Sequence, residues 1–283
     1  MFNSNLKKEN IKQLEQSVKV YDKVIEETKE NSIKLLDIRR KAIKLIGIVE
    51  RYINKIANTP KFFEKEFNEI NLTVSNFNRN LQEIQSESDN ATKVGGSVAG
   101  AGVLAGAGVA AFAPTAAMAI ATTFGTASTG TAIASLSGAA ATNAALAWLG
   151  GGALAAGGGG MAAGNALLAL AGPVGWAIGG TALVGGGLLA SSKNKKIAQE
   201  AIEKRIEVEE TTKKFRTINI EILEIHKLTV KHGKGVNAIY QRLLKNQKYD
   251  FNLFTTEEQY ELGSLVNNTK IFAKLLNRVV SQD

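Results

Sequence analysis

The chain reads as all-α: bundled or coiled-coil helical flanks around a Gly/Ala-rich transmembrane helical region. Three observations predict this. From Val94 to Ser192 there is no Asp, Glu, Lys, Arg or His, 99 consecutive residues in a chain that is 21% charged. On either side, apolar residues recur at alternating steps of four and three, the seam spacing of packed helices. Of 28 glycines, 24 fall between Gly95 and Gly187, so the composition changes abruptly at both edges. Three regions follow: an N-terminal helical bundle over 1–93, a Gly/Ala-rich transmembrane region over 94–192, and a C-terminal helical region over 193–283 that packs with the first.

In chain order, Leu14, Val18, Tyr21, Ile25 and Thr28 lie on one helical seam. A second helix is expected from Leu35, Leu36, Ile38, Ile43, Ile46, Val49, Ile53 and Ile56, stopped at Thr59-Pro60 because proline cannot continue the hydrogen-bond ladder. Phe63, Phe67, Ile70, Val74, Phe77, Leu81 and Ile84 mark a third, and the polar residues Gln85 to Thr92 separate it from the uncharged run. Beyond the run, Val208, Phe215, Ile218, Ile222 and Ile225 share a face, with Thr211 or Thr212 at the intervening heptad position. Lys231-His232-Gly233-Lys234-Gly235 is expected to break this helix. A short segment with Ile239, Leu243 and Leu244 follows, then aromatic residues at Tyr249, Phe251 and Phe254. The last helix is expected to open on Thr255 or Thr256, with Glu258 or Gln259 completing a capping box, and to bury Leu262, Val266, Leu275, Leu276 and Val279.

The uncharged run divides at its own punctuation. Val94 to Ala113 is closed by Pro114, and Thr115 to Leu136 by Ser137-Gly138; Ala139 to Ala156 is ended by Gly157 to Gly160, and Met161 to Ala190 is interrupted at Pro173. A span needs about 20 residues, so two to four crossings fit. A Gly/Ala-rich soluble segment is the alternative. Disorder goes with Ser, Pro, Glu and Lys, whereas Trp148, Trp176 and clusters of Leu and Val point the other way. Burial inside the flanks would require them to cover it on every side.

Within the run, Gly96 with Gly100, Gly102 with Gly106, Gly160 with Gly164, and Gly175 with Gly179 stand four apart, the spacing that lets membrane helices approach closely. Thr115 to Leu136 is rich in hydroxyls and poor in large aliphatics, so it is a marginal span. Thr122, Thr126, Thr129 and Ser135 are therefore candidates for a pore lining. Equally, such hydroxyls can bond their own helix carbonyls inside a bundle. Asn143 and Asn165 can bond between helices or sit in turns.

Charge at the edges bears on orientation. Lys93 precedes the run and Lys193, Lys195 and Lys196 follow it, pore-mouth charges that place both flanks, and both termini, on the cytoplasmic side of a bacterial inner membrane. An even number of crossings follows. The start of the chain has no apolar stretch behind its lysines, so no secretory signal is expected. Residues 1–93 carry 17 basic and 14 acidic side chains and 193–283 carry 17 and 12, too mixed to mark a nucleic-acid surface unaided.

Catalysis finds little support. The chain has no Cys, which excludes disulfides, thiolate nucleophiles and thiolate metal sites. His226 and His232 stand six apart without a carboxylate cluster, so no metal is expected, and Gly233-Lys234-Gly235 lacks the rest of a phosphate loop. No nucleophile, base and orienter come together, so neither an enzyme nor a cofactor is expected.

The stretch ATNAALAWLGGGALAAGGGGMAAG from Ala141 to Gly164, with Leu167 to Gly180 behind it, resembles the glycine/alanine-rich segment of bacterial membrane-acting effectors. These include channel-type proteins of anti-phage defence such as the channel subunits of Hailong systems. The layout of helical flanks around a charge-free core is also similar to that of α-helical pore-forming toxins. The resemblance covers the central third and carries over no functional residue. It implies a homo-oligomeric ion channel held closed by a ligand on its soluble helices.

The expected function is a membrane-permeabilising homo-oligomeric pore or channel. Its partners would be the lipid bilayer, further copies of the chain, and a regulatory ligand or protein on the flanks, a nucleotide or oligonucleotide included. The alternative is a membrane-anchored helical scaffold without pore activity.

Overall fold

The structure, a computed structural model, describes residues 2–94 and 190–278, and the side-chain contacts given below lie within 5–79 and 194–278. Among the described residues the fold is all-helical, with no strand. Helix α1 is Phe2–Asn54, α2 is Lys61–Val94 and α3 is Ala190–Lys245. A 3₁₀ turn, Phe251–Leu253, leads into α4, Thr256–Lys274, and a second 3₁₀ turn, Leu275–Asn277, follows it. Contacts divide the chain into two units, one of Met1–Glu30, Glu87–Ile220 and Ser281–Asp283, the other of Asn31–Ser86 and Glu221–Val280.

The two long helices owe their continuity to a seven-residue repeat. In α1, Leu14, Tyr21, Thr28, Leu35, Ala42 and Val49 stand seven apart and all are buried; in α3 the same holds for Ala201, Val208, Phe215, Ile222, Thr229, Val236 and Leu243. The sequence suggests two helices in place of α1, and a break in α3 at Lys231 to Gly235. Neither interruption is present. Two interior glycines cost about 1 kcal/mol each. Burying Val236 and Leu243 in register beyond them recovers about 1.5–3 kcal/mol each, so the repeat wins. Nor do the polar residues from Gln85 onward end α2, which runs to Val94 itself.

The buried threonines of these helices and of α4 are satisfied internally. Buried Thr28, Thr212, Thr229 and Thr269 each donate to the carbonyl four residues back, to Val24, Val208, Ile225 and Leu265, all at 2.7 Å. Thr211 does the same to Glu207 at 2.8 Å. A buried hydroxyl without a partner costs on the order of 1–3 kcal/mol, so the back-bond lets Thr occupy a core position.

In the first unit α1 and α3 run parallel. Arg205 donates to the Gln13 side chain at 2.9 Å, Ser17 to Glu209 at 2.9 Å, and Tyr21 packs edge-on against Phe215 with centroids 6.2 Å apart. Both numbers rise together at a nearly constant offset, which only a parallel pair allows. Burial, with Asp22 adding to it, raises the Tyr21 phenol far above its usual range.

The second unit is closed by its turns. After α1, Asn58 takes a left-handed φ of 58°, a conformation asparagine tolerates better than most residues. Its amide reaches both Asp250 carboxylate oxygens at 3.1 Å. Beside it the Ala57 N–H donates to the Tyr249 carbonyl at 2.8 Å, and the Phe251 N–H donates to the Ala57 carbonyl at 2.9 Å. Thr255 caps α4 with the expected box: its hydroxyl accepts from the Glu258 N–H, and Glu258 accepts from the Thr255 N–H at 2.7 Å. Leu262, Leu265, Val266, Phe272 and Leu276 are buried, together with Phe63, Phe67, Ile70 and Phe77 of α2. Val279 lies outside the described residues.

Buried Arg39 lies 6.0 Å from the Phe77 ring centre and donates to the Arg278 carbonyl. Burial pushes its guanidinium down to about 10, still charged at neutral pH.

Gly233 faces the Phe272 ring, where an added Cβ would meet Cζ at 3.1 Å; at Gly235 nothing lies within 4 Å. Gly235→Ala is therefore expected to raise the free energy of unfolding, measured by chemical denaturation, by roughly 0.5–1 kcal/mol. Gly233→Leu is expected to lower it by about 1–3 kcal/mol through overpacking. Destabilisation by Gly235→Ala would contradict a continuous α3.

Candidate functional site

The expected pore-lining residues Thr122, Thr126, Thr129 and Ser135 lie outside the described residues, as do Gly96, Gly100, Gly102, Gly106, Gly160, Gly164, Gly175 and Gly179. What the structure does place is the two edges of the uncharged run. Lys93 is in the last turn of α2 and Lys193 in the first turns of α3. Helix is described up to both edges: α2 as far as the first residue of the run, Val94, and α3 from Ala190 inside it. Lys195 and Lys196 are exposed. Among the described residues no helix is long and apolar enough to cross a membrane.

Two open clefts lie among the described residues of the flanks. In the first unit, Lys19, Lys23 and Arg216 with Glu27 line a groove of about 570 Å³ floored by Val20 and Ile220. Lys23 lies 3.8 Å from Glu27, which leaves the groove a cationic excess. In the second unit, Phe62, Phe63, Phe251, Tyr260, Gln259 and Asn267 help line a cleft of about 560 Å³ with no charged side chain in its wall. Gln259 is occupied in holding the turn, donating to the Phe251 and Phe254 carbonyls at 3.1 and 3.3 Å. Neither cleft presents a nucleophile beside a base.

Several ionisable groups in the second unit are engaged in structure. Lys270 bridges Glu66 and Glu69 at 2.7 Å each, which lowers the Glu69 carboxyl and raises the Lys270 ammonium. Lys248 at 2.6 Å, with the Thr255 N–H, holds Glu258 below the usual carboxylate range. The Asn252 N–H and the Asn58 amide lower Asp250 in the same way. Tyr52 is buried against Tyr240, its phenol pushed up to about 12 by burial, then by Tyr249, Tyr240, Glu258 and Glu261. His226 and His232 are both half-buried along α3. Among the described residues no group of His, Asp and Glu is arranged to hold a metal ion.

Sequence reasoning missed the parallel pairing of α1 with α3 and the burial of Asn10 and Arg39. The apolar spacing signalled helix in both flanks, but nothing local to either encodes the offset between them.

Folded carboxylates below their unfolded values contribute stability that is full above the unfolded pKa, about 4.3 for Glu, and is lost as pH falls through the folded value. For Glu258 this predicts an unfolding midpoint that declines as the medium is acidified below pH ~4, and a shallower decline in Glu258→Gln. An unchanged acid limb in that variant would contradict the Lys248 and Thr255 contacts. The raised Lys270 works in the opposite sense, its contribution disappearing as pH rises through its folded value.

No protein-family model matches this chain, and no similar curated protein or solved structure was found in comparison with it.

Proposed function

We propose that the chain is a membrane-permeabilising homo-oligomer in which the uncharged run forms a pore or channel and the helical flanks govern assembly and gating. One observation carries this reading: 99 consecutive residues without an ionisable group, Val94 to Ser192, in a chain whose 60 formal charges all lie to either side. A water-facing surface of that length needs charged side chains, whereas a hydrocarbon-facing one excludes them.

The described helices add two supports. Helix α2 is described as far as Val94, the first residue of the run, and α3 from Ala190 within it, so helical backbone reaches both edges. Flank threonines donate to carbonyls four residues back, and the same device would let Thr122, Thr126 and Thr129 sit in apolar surroundings until they face a conduit.

On this reading the Gly pairs, such as Gly160 with Gly164, let spans pack closely. Lys93, Lys193, Lys195 and Lys196 mark the cytoplasmic face of a bacterial inner membrane, with an even number of crossings. A role in antiviral defence or toxicity follows from the resemblance of the central segment. A regulatory ligand or partner, oligonucleotides included, would act through the flanks, where the groove bearing Lys19, Lys23 and Arg216 offers positive charge. The buried seams of α1 and α3 also favour a second reading, a membrane-anchored helical scaffold.

Release of trapped dye from vesicles separates the two. The purified chain is expected to release it, and replacing Gly160 and Gly164 with Ile is expected to cut release at least tenfold by blocking close helix approach while vesicle association persists. Tight association of the unaltered chain without any release would establish the anchor and remove the pore.

A further inference from the structure

Two stretches of chain far apart in sequence bring positive charge to the same end of the first unit. Gln13 meets Arg205 and Ser17 meets Glu209, both pairs 192 residues apart, on parallel helices. Asn10, Ala198 and Ala201, at positions that continue the two seams, are buried. At the same offset, Lys7 and Lys8 of α1 stand level with Gln199 and Glu200, one helical turn from Lys195 and Lys196 of α3. Lys8, Lys12, Lys195 and Lys196 are exposed and Lys7 is half-exposed.

Acid offsets only part of this charge. Residues 2–12 and, level with them on α3, residues 190–204 contain seven lysines and three acids, Glu9, Glu200 and Glu203, a net excess of four. Neither α1 nor α3 has an acidic residue in its first turn. Such an arrangement is stabilised by an extended anionic surface. Leu6, 49% exposed beside Lys7, adds an apolar side chain able to enter a headgroup layer.

We propose that the start of α1, with Lys7, Lys8 and Lys12, and the start of α3, with Lys195 and Lys196, form one composite surface that seats on anionic lipid headgroups. The bilayer is the occupant because the 95 residues between α2 and α3 join α3 at this end, Lys195 standing three residues beyond the uncharged run. The proposal rests on the membrane reading above and extends it: the first turns of α1, more than 180 residues from the end of the run, help to select the lipid.

Binding of the full chain is measured on vesicles of phosphatidylcholine alone and of an equal mixture with phosphatidylglycerol. Each lysine near an anionic surface strengthens binding about fivefold. Neutralising either pair, Lys7→Gln with Lys8→Gln or Lys195→Gln with Lys196→Gln, is therefore expected to weaken binding to the mixed vesicles roughly 10- to 30-fold. Binding to phosphatidylcholine should not change, which also controls for folding. The preference for mixed vesicles should vanish as salt is raised from roughly 0.1 M to roughly 1 M. Equal binding of the unaltered chain to both vesicles would overturn the proposal and leave the membrane reading intact, as would an α1 pair without effect. Binding to neither vesicle would overturn both.

Discussion

Charge segregation is the constraint on which the rest depends. A soluble domain of about a hundred residues meets water over most of its surface, and ionised side chains are the usual way it does so. This chain places every ionisable residue before Val94 or after Ser192. A hydrocarbon solvent removes the need for charge and adds another demand, that backbone groups be paired within the segment. On the proposed reading, the run's alanine, leucine, valine and hydroxyl residues would meet that demand as helix, while glycine would trade helix propensity for close approach. On the proposed reading the composition of the run is an adaptation to its solvent.

The flanks solve a different problem with related means. Their helices are long, and a long helix of mixed charge needs a continuous apolar seam to stay folded. The seven-residue repeats of α1 and α3 supply it, and threonines enter them without an unsatisfied hydroxyl because each bonds back along its own helix. Tyr21 against Phe215 sets one parallel layer, and the Arg205 and Ser17 contacts hold it in register. In the second unit, the Asn58–Asp250 contact and the Thr255–Glu258 box fix the turns with local polar groups that leave the apolar faces of α2 and α4 to pack.

Much of this was legible from residues alone, and the failures are instructive. The α4 cap was readable because a Thr-x-x-Glu pattern encodes its own hydrogen bonds, and the α2 face because five of its apolar positions kept their spacing from Phe63 to Phe77. The glycines at 233 and 235 misled because local propensity was weighed without the repeat running through them; Val236 and Leu243, in phase with Phe215 and Ile222, carried the corrective signal. A buried arginine in the α1 seam could not be anticipated, since Arg39 depends on the Phe77 ring and the distant Arg278 carbonyl. For the candidate site, composition exposed the uncharged run at once. The levelling of Lys7 and Lys8 with Gln199 and Glu200, one turn from Lys195 and Lys196, was hidden, because an offset of 192 residues is a property of the fold.

Both tryptophans of the chain, Trp148 and Trp176, lie within the uncharged run, so intrinsic indole fluorescence reports on that region and on no other. The direct measurement is quenching of this emission in bilayers whose acyl chains carry bromine. Residence of the run in hydrocarbon predicts a blue-shifted emission strongly quenched by the brominated chains and indifferent to iodide in the surrounding water. Emission untouched by brominated lipid and quenched by aqueous iodide would contradict it.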